Sequence, residues 1–407
     1  MSDDYYNDTT DTRFVSGCVA LYFFGSLCSA AGVGGGTINV PILYFIIGFS
    51  FKTAVILSLC TLAGNYLLQV IINVLKRHPI IRTRPLIYYD VVLVLLPAEL
   101  GGNNIGVIIS LIFPQSVLYI LAMTVLCIAA FATFHKGQQQ YDKETDQLVE
   151  TTKMSQPILS RPHNSHNNRN SALARAHTYS NGVGDDDDDI DVSSIEYPWF
   201  IISIIAFVFV CYVGLYIGLN EEQKCTWQYD LILTSIYPLL IAEIVWGISF
   251  LSASQRANPD SVVKGDLNWN EFTLIGPCIS VVIGFLSGML GIGGGELMGP
   301  MLLNWGVLPA VSVATTSFMS FLNTTSSVLH YLVLGEIPYT YGAIFFGIGC
   351  AAGFTGRLTA IYIVRYFHRP SIFVFALVIV LIVSFAIFVF QLVEDYDSFD
   401  FKDFCTS

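Results

Sequence analysis

The sequence predicts an all-α integral membrane protein: a polytopic helical bundle of two inverted four-segment repeats, each opening with a hairpin broken at glycine. Three observations lead to this reading. They are a series of long apolar runs, a glycine motif that occurs twice, and the placing of the few basic residues.

The apolar runs set the class. Of 407 residues, 54% are hydrophobic and 12% are charged, about half the charged share of an average soluble protein, and mean hydropathy is +0.61. A helix needs about 20 mainly apolar residues to cross a bilayer. Such stretches lie at 51–75, 86–109, 116–134, 197–219, 231–251, 307–334, 341–363 and 371–393, and a soluble core has no use for eight of them. The net charge of −12 falls on Asp3, Asp4, Asp8, Asp11, the run Asp185–Asp189 and the C-terminal tail. These are solvated ends and one loop, so the charge offers nucleic acid no partner. Seven of the nine cysteines lie inside apolar segments and no C-x-x-C pair occurs, which predicts small core residues with no metal and no cofactor. The acidic start lacks the basic region of a cleavable signal peptide.

These runs divide the chain. An extracytoplasmic tail at 1–13 precedes a first transmembrane repeat at 14–134. A polar, disordered cytoplasmic loop is expected at 135–196, then a linker pair of transmembrane helices at 197–251 and a cytoplasmic link at 252–271. A second repeat occupies 272–393, and 394–407 is a tail. The loop contains "GQQQYDKETDQ" and "GDDDDDID", with too few apolar residues to offset the entropy of ordering.

The duplication is specific. "AGVGGGTINVPIL" at 31–43 lines up with "LGIGGGELMGPML" at 290–302. Gly32, Gly34, Gly35, Gly36 and Pro41 match Gly291, Gly293, Gly294, Gly295 and Pro300, and downstream Gly48, Val55 and Asn65 match Gly306, Val313 and Asn323. One glycine cluster means little, but its recurrence with the same proline and asparagine marks an internal repeat.

Lys and Arg orient the halves. Loop 76–85, "KRHPIIRTRP", is basic and reads as cytoplasmic, whereas its counterpart "GEIPYT" at 335–340 is acidic and reads as external. Counting crossings from these loops works only if 14–50 and 272–306 each bend back as a hairpin before one full span. The halves are then upside down relative to each other, the arrangement many secondary transporters use for alternating access.

The break selects the candidate site residues. The clusters fail the phosphate-loop pattern because no Lys comes after them. In a membrane, glycines serve either close helix packing or a helix break that leaves free N–H groups at the midplane, where a helix N-terminus favours negative charge. Broken helices at matching places in two repeats point to a binding site, which selects Gly34, Gly35, Gly36, Gly293, Gly294 and Gly295. On the next helix of each half, Ser58, Thr61 and Asn65 share one face, as do Thr316, Ser317, Ser320 and Asn323. Ser and Thr in such helices often bond only to their own backbone. Asparagines are costlier in lipid and either face the site or lock the helices together. Among ionisable residues in apolar segments (Glu99, Glu243, His330, Arg357), Glu296 beside the second cluster is the proton-coupling candidate. The plainer reading is an acid complementing a helix dipole. No hydrolase motif such as H-E-x-x-H is present, so no catalytic residue is assigned.

With "GVGGGTINVPIL" and "GIGGGELMGPML" each opening a four-segment block, the chain resembles the sulfite exporter TauE/SafE family over nearly all its length outside the tails and 135–196. The polar insertion and central helix pair are similar to the longer eukaryotic members. The resemblance implies movement of sulfite, sulfonates or related small anions. The expectation is a multi-pass membrane transporter of a small anionic substrate, with protons as coupling ion. An anion channel, or a receptor signalling through 135–196, stands as the alternative.

Overall fold

The computed structural model describes residues 12–30, 32, 34–155, 195–219, 227–257, 265–269, 274–367 and scattered positions between 375 and 390. The expectations for both tails, for 156–194, for most of 371–393 and for Cys225 and Cys405 fall outside them. The described chain is helical: α1 Thr12–Ala30, α2 Gly36–Pro41 with a π-helical extension Ile42–Ile47, α3 Phe51–Val74, α4 Tyr89–Ile112, α5 Gln115–Ser155, α6 Trp199–Leu219, α7 Trp227–Ala257, α8 Ile275–Leu290, α9 Gly295–Asn304, α10 Pro309–Val333 and α11 Tyr339–Phe367. Six of these (α1, α3, α4, α6, α7 and α11) are long and apolar enough to cross a membrane. Helix α10 is long enough but carries Ser, Thr or Asn at ten of its 25 positions, nine of them buried.

Each repeat opens with a hairpin. Gly35 adopts φ +86°, a left-handed conformation that costs other residues about 1–2 kcal/mol, and the chain reverses there. Pro41 then lies inside the returning helix and its missing N–H breaks the regular ladder, which widens into the π-helical turn. Gly17 near the start of α1 packs directly on the Ile47 side chain, closing the first hairpin. In the second, Gly276 of α8 stands beside Trp305, just past α9. The 12-residue returning arm (36–47) and the ten-residue α9 span about 15–18 Å at 1.5 Å per residue, half of a hydrocarbon core of about 30 Å.

The repeats contact each other reciprocally. Gly32 of the first tip packs on Val313, and its counterpart Gly291 packs on Val55, the counterpart of Val313. Helices α3 and α10 run antiparallel: Lys52 at the start of α3 forms an ion pair with Glu336 beyond the end of α10 at 2.8 Å, and Gln69 late in α3 meets Ser317 early in α10 at 3.0 Å. Two further seams use small residues. Gly102 and Gly106 of α4 lie on the carbonyls of Val281 and Phe285, while Gly284 and Gly288 of α8 lie on those of Glu99 and Asn103. Gly349 and Gly353 of α11 lie likewise on Thr61 and Asn65 of α3. Lipid tails are as apolar as leucine, so backbone-to-backbone approach of this kind is what holds membrane helices together.

One end of the bundle holds the basic loop 76–85. Arg84 pairs with Asp266 at 3.1 Å, the Glu196 N–H donates to the Thr83 carbonyl at 2.8 Å, and the Tyr197 hydroxyl donates to the Val74 carbonyl at 2.9 Å. Burial, with the Arg357 charge next in size, pushes Lys76 down to about 8. The loop at 334–338 lies at the other end with the start of α3.

The polar loop begins later than expected. Helix α5 continues for 41 residues to Ser155, about 60 Å, so 135–155 is helix where the composition suggested disorder. The apolar 116–134 supplies the costly nucleus, and the Gln, Lys and Glu residues beyond it need only propagate it.

Candidate functional site

The two hairpin tips meet in the middle of the bundle. Asn65 and Asn323 stand at equivalent points, each just past halfway along its helix, and the glycine clusters reach this level. Gly36 approaches the Ile292 carbonyl so closely that a side-chain carbon there would overlap it, and the Gly34 N–H donates to the Tyr66 hydroxyl at 3.0 Å. Gly293 lies beside Tyr66 and Thr324, and Gly295 faces both Ser320 and the Tyr66 hydroxyl.

The expected site residues divide by what they bond. Asn65 Nδ2 reaches the Gly25 and Gly34 carbonyls at 3.4 and 3.5 Å and its Oδ1 accepts from Gln69 Nε2 at 2.7 Å, so it ties α1 and the first tip to α3. Ser58 donates to the Gly291 carbonyl of the second tip at 3.3 Å. Thr61 and Thr316 bond back to Leu57 and Ser312 of their own helices at 2.9 and 2.8 Å, the plainer of the two roles open to such residues. Ser317 lies 2.7 Å from the Val313 carbonyl and 3.0 Å from Gln69 Oε1. Asn323 Nδ2 donates to Glu99 Oε1 at 3.0 Å and approaches Ser287 Oγ at 3.3 Å. Gly35 takes a left-handed conformation at the first turn, as Gly291 and Gly293 do at the second, where Gly294 caps α9.

Glu296 crosses the repeat boundary. It occupies the place in the second cluster that Thr37 holds in the first, and its Oε1 accepts the Thr37 N–H at 3.2 Å, with the Gly35 and Gly36 amides directed at the same carboxyl. The start of the first returning helix, where an anion is most favoured, is thus held by an internal carboxylate from the other half.

Several site residues carry no motif. Tyr66, Gln69 and Ser287 are buried here at 0–1% exposure. Glu99 is visible in the sequence as a lone acid in an apolar run, but nothing in its neighbourhood shows that α4 carries it to the second tip. Of the other ionisable residues, Arg357 donates to Asn73 Oδ1 at 3.0 Å and His330 packs on Tyr216 at 4.7 Å between ring centroids. Among the described residues no group of three His, Cys, Asp or Glu could hold a metal.

Comparison with known proteins agrees with this architecture. The family model described as Sulfite exporter TauE/SafE matches residues 17–174 and 192–387. Sulfite exporter TauE/SafE family protein 3 of Arabidopsis thaliana is 28% identical over 387 residues, covering 91% of this chain and 77% of that protein. Family protein 2 of the same plant is 27% identical, covering 93% and 82%. Probable membrane transporter protein YunE of Bacillus subtilis (strain 168) is 32% identical over 109 residues, 26% of this chain and 39% of that protein. No solved structure matches the chain. With the family model covering both repeats, the chain belongs to the sulfite exporter TauE/SafE family, as a multi-pass integral membrane transporter of that type.

Proposed function

We propose that this protein is a secondary transporter of small anions, sulfite or related sulfur oxyanions or organosulfonates, driven by protons and working by alternating access between two oppositely oriented repeats. The observation that carries the reading is the bond from the Thr37 N–H to Glu296 Oε1. While Glu296 is ionised it occupies the N–H groups that an anion needs. Once it takes a proton it stops competing as a charge, and an oxyanion accepts the same amides. Anion and proton then load together, because a charge brought into the centre of a bilayer is costly unless it is matched.

The antiparallel course of α3 and α10 supports opposite orientation of the halves, and the basic loop 76–85 at one end supports placing that end in the cytoplasm. The family name of the relatives supports sulfite as the first substrate to test.

The test is uptake of labelled sulfite and sulfate into proteoliposomes with and without an inward proton gradient. Saturable uptake that runs uphill only with the gradient is expected. Flux that never saturates or never exceeds equilibrium would make the protein a channel, and driving by sodium at constant pH would remove the proton from the cycle.

A further inference from the structure

Proton coupling through Glu296 uses one acid, but a second faces the other hairpin. Glu99 on α4 is 0% exposed. Its carboxyl lies against Gly294 at the start of the ten-residue α9, so that a side-chain carbon on Gly294 would overlap Oε1. Oε1 accepts from Asn323 Nδ2 at 3.0 Å, and Oε2 has no hydrogen-bond partner among the described residues. Each tip is therefore faced by a buried carboxyl from the opposite repeat: Glu296 at the first, Glu99 at the second.

Among the described residues, the groups around Glu99 bring no positive charge. Tyr66 faces the same centre from α3 and Glu296 from the first turn of α9. Helix α8 contributes Ser287 and has no charged residue. Helix α10 contributes Asn323, with His330 two turns further on against Tyr216. Of the linker pair, α7 carries Glu243, itself buried, and α6 carries Tyr212, bonded to Ser326 at 2.9 Å. Lys52 and Arg357 are engaged elsewhere, with Glu336 and Asn73.

We propose that Glu99 is the second proton-bearing group of this site, and that the site consequently takes a doubly charged oxyanion together with two protons. The inference rests on the proton-coupled function proposed for Glu296. Two buried carboxylates with no cation between them cannot both stay ionised when a further anion enters. Each takes one proton from the side of entry and gives it up where the anion leaves. Two protons and one dianion sum to no net charge, so loading leaves the centre with the charge its two ionised carboxylates already had and adds none within the bilayer. A singly charged sulfonate of similar size leaves one proton unmatched and is disfavoured.

The experiment counts protons. Purified full-length protein is titrated with sulfite, sulfate and methanesulfonate in buffers of different ionisation enthalpy, and the calorimetric heats give the protons taken up per anion bound, corrected for the anion's own. About two are expected for each dianion in the natural protein, about one in Glu99→Gln or Glu296→Gln, and about none in the double variant. A count of about one in the natural protein that disappears in Glu296→Gln and survives in Glu99→Gln would overturn this inference and leave the single-acid reading standing. A count of two that Glu99→Gln leaves unchanged would overturn it as well. If Glu99→Gln does not fold, the count in the natural protein decides between one acid and two. No proton uptake with any anion, or no binding of any of the three, would overturn the proton-coupled reading beneath it.

Discussion

Replacing Glu296 by Gln keeps the shape of the side chain and removes its charge. In the natural protein Oε1 accepts the Thr37 N–H at 3.2 Å, in a spot 9% exposed. A hydrogen bond to a charged group contributes about 1.5–3 kcal/mol and one between neutral groups about 0.5–1.5. The amide of Gln therefore holds Thr37 less tightly by about 1 kcal/mol, and an incoming anion has that much less competition. At 1.4 kcal/mol per factor of ten, apparent anion affinity in alkaline buffer should rise about fivefold. In acid buffer, where the natural side chain is already protonated, the variant should match it. Binding measured by calorimetry across the pH range, alongside uptake into proteoliposomes, checks both limits. Surface expression of the variant shows separately that it has inserted. A well-inserted variant with the natural protein's pH profile would refute the competition argument. Weaker anion binding in alkaline buffer would refute it too, because the carboxylate would then be helping the ligand.

The geometry sets two further outcomes. A methyl added by Gly36→Ala falls on the Ile292 carbonyl, an overlap worth about 1–3 kcal/mol, so the variant should melt lower and lose transport. Gly214→Ala on α6, which meets nothing within 4 Å, should leave both unchanged; full transport by Gly36→Ala would show that the tips need not touch. Cysteine tags at positions 80 and 340, both exposed, should react with an impermeant reagent from opposite faces, with 80 on the cytoplasmic one, and labelling of both from one side would remove the inverted-orientation reading.

The hairpins illustrate what local sequence reveals. Three adjacent glycines cannot sustain a helix, and a proline six residues on from Gly35 removes one of the N–H groups that a returning helix would use. Finding both twice gives the break at 31–36 and at 291–295 before any contact is known. The apolar runs likewise mark the helices, because lipid demands an unbroken apolar surface whatever the neighbours are. The end of α5 departs from expectation for a related reason. Composition reports whether a segment can fold by itself, and 135–155 is carried by the helix that precedes it.

The partners of the site belong to another level. Thr37 and Glu296 are 259 residues apart, and only the antiparallel packing of α3 with α10 brings the first tip under the acid of the second. By its spacing alone, Glu296 is an acid in the first turn of its own helix, suited to complement that helix's dipole; the fold turns it to serve the other repeat. Glu99 reads as an isolated acid until the glycine seam between α4 and α8 seats it against Gly294. Thr61 and Thr316, which share a face with the asparagines in sequence, commit their hydroxyls to their own backbone. Periodicity and duplication thus determined the membrane class, the repeat and the places where helices break, since each depends on residues near one another in the chain. Which carboxyl meets which amide was decided by tertiary structure, because a buried charge is matched by whatever group the packing brings within about 3 Å, at any distance along the sequence.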